Sequence, residues 1–294
     1  MTTAIVLALA AGFGAIASEE CGQCSDAALC AAHQVAQAAA VKAAKPKLRG
    51  GDPVDRILAV QELARINHEH PRLPSSEIAV LAEAALQDES MAVRAEAAKA
   101  LADGMQPETA VRSLVSALEN VRGDLAKLGG GGRFGQPDGE EKDPKVQERR
   151  KLRDEAVRYA RAIVDGLGKL PDDRSVDALA DFLPQLSFRS GGELTDGVGK
   201  SLVALDARKG IEALVQKIKL SPAGAGPFGP DPTGKTLHDL LTTSARSKGL
   251  ADPPPWSTKE PPDWEKWFAK NQKSYAAKLG KYDLEKMRKA KAKA

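Results

Sequence analysis

The stretch LQDESMAVRAEAAKALADGMQPETAVRSLVSALENV, residues 86 to 121, decides how this chain folds. Asp88 can cap a helix start, and Met91, Ala95, Ala98 and Leu101 then recur at helical spacing until Asp103-Gly104 stops the run. Pro107 stands where a first helical turn tolerates it, since that turn's N–H groups have no partner inside the helix. Val111, Leu114, Val115 and Leu118 make the apolar stripe of a second helix. Two helices joined by so short a turn predict an antiparallel hairpin. One hairpin cannot bury its own apolar face, so more such units are expected on either side.

Spacing supplies them. Leu63 and Leu101 lie 38 positions apart, and Leu167 and Leu205 are again 38 apart. The interval from Leu101 to Leu167 is 66, and its excess of 28 is nearly absorbed by a polar, Gly-rich insertion, GDLAKLGGGGRFGQPDGEEKDP, at 123–144. A period near 40 with two helices per unit is the signature of a stacked helical array. Helices are expected near 26–44, 53–68, 75–87, 90–103, 107–122, 146–168, 173–187, 193–206, 208–219, 236–248 and 262–291, with the insertion as a loop on one edge.

Composition agrees with an all-α fold. Of the 294 residues 42% are apolar but only 4% aromatic, so the apolar content is mainly Ala, Leu and Val. Ala and Leu favour helices, whereas strands draw on β-branched and aromatic side chains. The formal charge is +3, and much of it lies in the basic tail KYDLEKMRKAKAKA at 281–294. No aromatic side chains alternate with those charges after Tyr282, so nucleic-acid binding is not expected.

The order Asp88, Val93-Arg94, Ala97-Ala98, Leu101 resembles the HEAT-repeat pattern D-x4-V-R-x2-A-A-x2-L. In DPVDRILAVQELARI, Arg56 falls at the Arg94 position, Ala59-Val60 at the Ala pair and Leu63 at Leu101, with Asp55 in place of the Val. The segments EAVRYARAIVDGLGKL and GVGKSLVALDARKG keep the apolar positions but not the Val-Arg pair together with the Ala pair. The resemblance implies a HEAT-like α-α superhelix, a right-handed array of helical hairpins over 52–220. It also implies that small Ala residues let helices approach closely, and that Asp88 and Arg94 tie neighbouring repeats. Leu63, Leu101, Leu167 and Leu205 are the expected structural positions.

The Pro-rich segment LADPPPWSTKEPPDW separates a C-terminal element that holds all three Trp residues, 256, 264 and 267. Trp264, Trp267 and Phe268 fall on one face of a helix. The ending resembles the W-x2-W/F element that closes many bacterial secreted HEAT-like proteins, which implies a Trp-bearing cap within 236–280. Residues 221–235 form the linker before it.

That linker holds GAGPFGPDPTGKT, 224–236, which matches G-x-G-x-x-G and, from Gly229 to Thr236, G-x-x-x-x-G-K-T. Phosphate cradles of both kinds need a strand before the loop and free backbone N–H groups within it. Here Ile211, Leu214, Val215 and Ile218 instead describe a preceding helix, and Pro227, Pro230 and Pro232 remove donors. No nucleotide or other cofactor is expected. Thr233 or Thr236 is read as the cap of the next helix.

Residues 1–17, MTTAIVLALAAGFGAIA, read as a signal peptide ending in the small-x-small run Ala15-Ile16-Ala17. They imply a periplasmic or secreted protein without stable membrane insertion after cleavage. The Ala-rich segment 18–51 then carries Cys21, Cys24, Cys30 and His33. A disulfide or free thiols are the expected chemistry there, and a link between two chains or a metal held by these four residues are the alternatives. His68 and His70 lie at a helix exit, where capping by the dipole is the expected role. No catalytic set emerges, and the chain is read as a non-enzymatic scaffold or adaptor for a protein partner. An envelope redox or metal-handling protein is the alternative.

Overall fold

The structure is a computed structural model that describes residues 27–69, 82–103, 107–129, 143–186, 188–221, 225–226, 229–230, 232–250, 252–257 and 262–281. The segment 1–17 expected to be a signal peptide, Cys21, Cys24 and His70 lie outside the described residues, and so do the side chains of Cys30, His33 and His68. The described chain is helical almost throughout. Two compact units divide it, Met1–Gln106 and Pro107–Ala294. This boundary coincides with none of those expected from sequence. It falls inside the stretch 86–121, between the two helices read as one hairpin.

In the first unit, helices α1 (Ala27–Leu48), α2 (Pro53–Glu69) and α3 (Met91–Ala102) follow one another, with a helical turn at 82–85. α1 packs on α2, and α2 on α3. α1 runs four residues beyond its expected end, carrying Pro46 inside its last turn. Val60, Leu63, Val93, Ala97, Ala98 and Leu101 are fully buried, the small Ala pair among them.

Asp88 was expected to cap α3, but Ser90 is the N-cap residue and makes no side-chain cap bond. Asp88 instead accepts from the Ser90 N–H at 2.8 Å and pairs with Arg56 of α2, Nε to Oδ2 at 2.8 Å. The two side chains are 5% and 12% exposed, and Arg56 also reaches the Gly50 and Gly51 carbonyls and Glu89. The fork of donors and the adjacent carboxylates hold the Arg56 guanidinium above its usual pKa, chiefly through the bond to Asp88. The ionic tie between α2 and the start of α3 is thus made by Arg56, the residue at the Arg94 position of the preceding segment. Arg94 itself donates to the Glu89 carbonyl.

The second unit contains α4 (Pro107–Gly129), α5 (Pro144–Gly168), α6 (Asp173–Phe182), α7 (Phe188–Leu205), α8 (Arg208–Leu220), α9 (Pro232–Ser247) and α10 (Trp264–Asn271). One pair of two-residue strands, β1 (Ala225–Gly226) and β2 (Gly229–Pro230), forms an antiparallel ladder between α8 and α9. α5 packs on α7 and α7 on α9, while α4 packs on α6, α6 on α8 and α8 on α10. Alternate helices therefore stack into two rows.

Neighbouring helices within a row approach closely where side chains are small. A Cβ added to Gly168, the last residue of α5, would lie 2.5 Å from Ser201 Oγ and 3.0 Å from its Cα. Ser201 Oγ donates to the Val164 carbonyl at 3.1 Å. Leu167 and Leu205, expected at equivalent positions, are both buried.

Several boundaries depart from the sequence reading. α4 continues to Gly129, so the first seven residues of the expected 123–144 loop are helical; residues 130–142 lie outside the description. Asp143 then caps α5, accepting from the Lys145 N–H at 2.9 Å. The expected helix 262–291 ends at Asn271, followed by the 3-10 turn Gln272–Ser274. Residues 275–281 turn back as a strap across the starts of α6 and α8. Arg208 N donates to the Ala276 carbonyl at 2.8 Å, and Asp173 accepts from Leu279 N at 2.8 Å and Gly280 N at 3.2 Å. The first N–H groups of a helix lack internal partners, and the strap's carbonyls supply one for each start, since Asp173 N also donates to the Gly280 carbonyl.

Candidate functional site

Two features stand out in the second unit, a groove between α7 and α9 and an aromatic cluster where α9 meets α10. The groove has a volume of about 650 Å³ and is lined by Asp196, Val203, Ala204 and Asp206 from the α7 side and by Asp239, Leu240, Thr243 and Lys248 from the α9 side. Gly199 brings the two helices together at its base, because a Cβ there would sit 2.6 Å from Leu237 Cδ2.

The groove's carboxylates are held in different ways. Asp196 pairs with Lys200 and Asp239 with Lys235, each one turn along its own helix at 2.6 Å. Such exposed pairs are weak and exchangeable. Asp206 is built into a turn. It lies between α7 and α8 at φ 57°, the left-handed region that Asp tolerates better than most residues. Its carbonyl accepts from Ala276 N at 3.1 Å, and its Oδ2 accepts from Lys248 Nζ. Oδ1 is buried and has no partner among the described residues. The Tyr275 hydroxyl, on a residue only 3% exposed, is also buried without one. Burial, and then the charge of Asp206, push the Tyr275 pKa up to about 12. The Lys248 ammonium lies 5.0 Å from the Tyr275 ring centroid.

The aromatic cluster is organised by His238 of α9. Trp264 is 1% exposed and its Nε1–H donates to His238 Nδ1 at 3.0 Å. An indole nitrogen can only donate, so Nδ1 carries the lone pair and the imidazole proton is on Nε2, 3.4 Å from Thr242 Oγ1. Trp256 and Trp264 meet the imidazole edge-on, with centroids 5.2 Å and 5.5 Å away, and Trp264 stacks edge-on with Trp267 at 5.1 Å. Glu265 at the outer edge bonds Lys219 and Gln216 of α8, which lowers its pKa.

Burial pushes the His238 pKa below its ordinary 6.5, with Asp239 opposing and Lys235 assisting. The folded chain therefore resists a proton that the unfolded chain accepts. Its contribution to stability is complete above about pH 6.5 and is lost as the pH falls from there toward the lower folded value. Urea midpoints should fall between pH 7.5 and pH 5.5 by more than those of His238→Asn, whose side chain does not titrate. Equal slopes in the two chains would contradict this.

The segment matching the phosphate patterns is placed by α9. The helix begins at Pro232, not after Thr236, so Thr233 and Thr236 lie inside its first turns and the expected cap is not made there. Gly234 packs against Ser221 and Trp256, and Lys235 lies along the helix toward Asp239. A strand does occur within the stretch, but it has two residues and pairs only with its own return.

A smaller concavity of about 260 Å³ lies between α4 and α6, lined in part by Arg122, Arg174 and Asp181. Arg174 is held there by Asp172 at 2.9 Å, which raises its pKa. Among the described residues no three His, Cys, Asp or Glu side chains converge as a metal would require. Among them no helix is long and apolar enough to cross a membrane.

The sequence reading named Trp264 and Trp267 but missed His238, Asp206, Lys248 and Tyr275. Only the helix periodicity of TLHDLLTT placed His238 near the apolar stripe of Leu237 and Leu241. Compared with protein-family models, curated proteins and solved structures, the chain finds no match in any of the three.

Proposed function

We propose that this chain is a non-enzymatic scaffold or adaptor, built from HEAT-like helical hairpins, that binds another protein in the periplasm or outside the cell. The observation that carries the reading is the stacking of alternate helices into the rows α5–α7–α9 and α4–α6–α8–α10. Such stacking is how an array of hairpins buries a continuous core while leaving long grooves between neighbouring helices. Two further features support it. Arg56 and Asp88 join consecutive helices at the positions that the HEAT resemblance assigns to inter-repeat ties. Trp264, Trp267 and Phe268 on α10 end one row with a buried aromatic face, as a capping repeat requires.

Photo-crosslinking residues placed at Lys200 and Thr243 in living cells, with exposed Leu152 as the control position, test the reading. A recurrent protein adduct in the envelope or secreted fraction at the groove positions is expected. Absence of any adduct above background, with a stoichiometric metal in the purified chain, would replace this reading by the redox or metal-handling one. For the loop, ATP titrated into the full chain in a calorimeter should give no one-to-one binding, with Lys235→Ala identical to the parent. Stoichiometric binding that the substitution abolishes would restore a phosphate site.

A further inference from the structure

We propose that His238 and Trp264 form an acid-released latch: when the imidazole takes up a proton, α10 lifts from α9 while the stacked rows stay folded. The inference is independent of the adaptor reading.

The latch is a hydrogen bond with one permitted direction. Trp264 Nε1–H donates to His238 Nδ1 at 3.0 Å, and an indole nitrogen cannot accept in return. A proton on Nδ1 would set N–H against N–H at a place where Trp264 is 1% and His238 5% exposed. The bond therefore requires the neutral ring. An imidazolium there would be a buried charge facing a donor, and it gains solvation only when Trp264 withdraws.

The carboxylates on the surrounding helices are engaged elsewhere or exposed. On α9 itself Asp239 is paired with Lys235, Glu265 of α10 with Lys219 of α8, and Asp196 of α7 with Lys200. Asp252, on the segment that carries Trp256, and Asp263, Lys266 and Lys270 at α10 are exposed. The charges that act on the imidazole are those of Asp239 and Lys235, and they oppose each other. Burial outweighs both and keeps the ring neutral below its ordinary range.

The helix that the latch holds is built to open separately. α10 has eight residues, too few to be a stable helix without its packing. It packs on α8 and reaches α9 through the Trp264–His238 bond. The remaining polar tie, Glu265 to Lys219, is at the solvent edge and weak. Beyond α10 the strap is bonded to the starts of α8 and α6 at Ala276, Leu279 and Gly280, so a released α10 stays tethered at its far end and can close again. Opening bares the buried face of Trp264, Trp267 and Phe268.

Hydrogen exchange of the full chain, read by mass spectrometry as protection factors that divide out the intrinsic pH dependence, tests this. At pH 7.5 the α10 amides should be at least about tenfold less protected than the buried amides of α5, Tyr159 to Val164, the mark of an opening smaller than global unfolding. With an open-state imidazole titrating near pH 6.5, protection of α10 should fall about three- to tenfold from pH 7.5 to pH 5.5. His238→Asn, which does not titrate, should hold that ratio at one. Trp264→Phe leaves the imidazole in place but removes the opposing N–H, so its ratio should lie below that of the parent chain. Equal protection of α10 and α5 at pH 7.5 would mean that α10 opens only with the whole unit. A ratio of one in the parent chain would mean that His238 does not hold the helix. Either result overturns the proposal, whether or not the variants fold.

Discussion

Trp264→Ala should destabilise the C-terminal unit by about 3–5 kcal/mol, the range for removing a buried large aromatic side chain. The indole is almost fully enclosed among His238, Trp267 and the helices α8 and α9, so its removal leaves a cavity and a buried imidazole nitrogen without its donor. Trp264→Phe separates the two effects. It keeps most of the apolar contact but deletes the N–H, and should cost about 1–3 kcal/mol, the penalty for orphaning one buried acceptor. Urea unfolding of the full chain, followed by tryptophan fluorescence from the remaining indoles, measures both. A Trp264→Ala cost below about 1 kcal/mol would mean that the cap is peripheral to the fold. The same variant should also erase the pH dependence assigned to His238, because a solvent-exposed imidazole returns to its ordinary titration.

Why the helices were readable and the groove was not follows from what each feature depends on. The stripe Ile211, Leu214, Val215 and Ile218 announces α8 because helical spacing is a local property, and all four side chains are buried. Trp264, Trp267 and Phe268 were placed on one face for the same reason, and that face is buried. The extension of α4 to Gly129 escaped notice because GDLAKLG carries Gly at both ends and reads as punctuation. Its interior, Asp124 to Leu128, is nonetheless good helix-forming sequence beside α5.

The opposite error occurred at the C-terminus. The periodicity of the last segment was continued through 275–281, where the backbone instead bonds to Asp173, Asp206 and Arg208, residues 68 to 107 positions away along the chain. No local pattern encodes such bonds. Asp206 and the segment after Tyr275 meet only through that return of the chain, and neither has a neighbour in sequence that hints at the other.

Leu167→Ala offers the sharpest comparison of the two leucines that the 38-residue spacing equates. Both are buried, Leu167 completely and Leu205 to 4% exposure. The cost of a Leu→Ala change depends on how far the surroundings can close over the cavity, and ranges over about 2–5 kcal/mol. Beside Leu167 they close little, because α5 and α7 already leave no room for a Cβ at Gly168 against Ser201, and Ser201 is bonded to Val164. The cavity should persist, and the loss should fall in the upper half of that range, about 4 kcal/mol. Leu205 ends α7 at the turn formed by Asp206 and is already 4% exposed, so solvent can enter part of the space that its removal leaves. Its replacement by Ala should cost about 2 kcal/mol. Urea denaturation of the two variants under identical conditions gives the order directly. A larger loss for Leu205→Ala would show that the α7 terminus is the more rigid position and that the close approach of α5 and α7 at Gly168 does not keep the Leu167 cavity open.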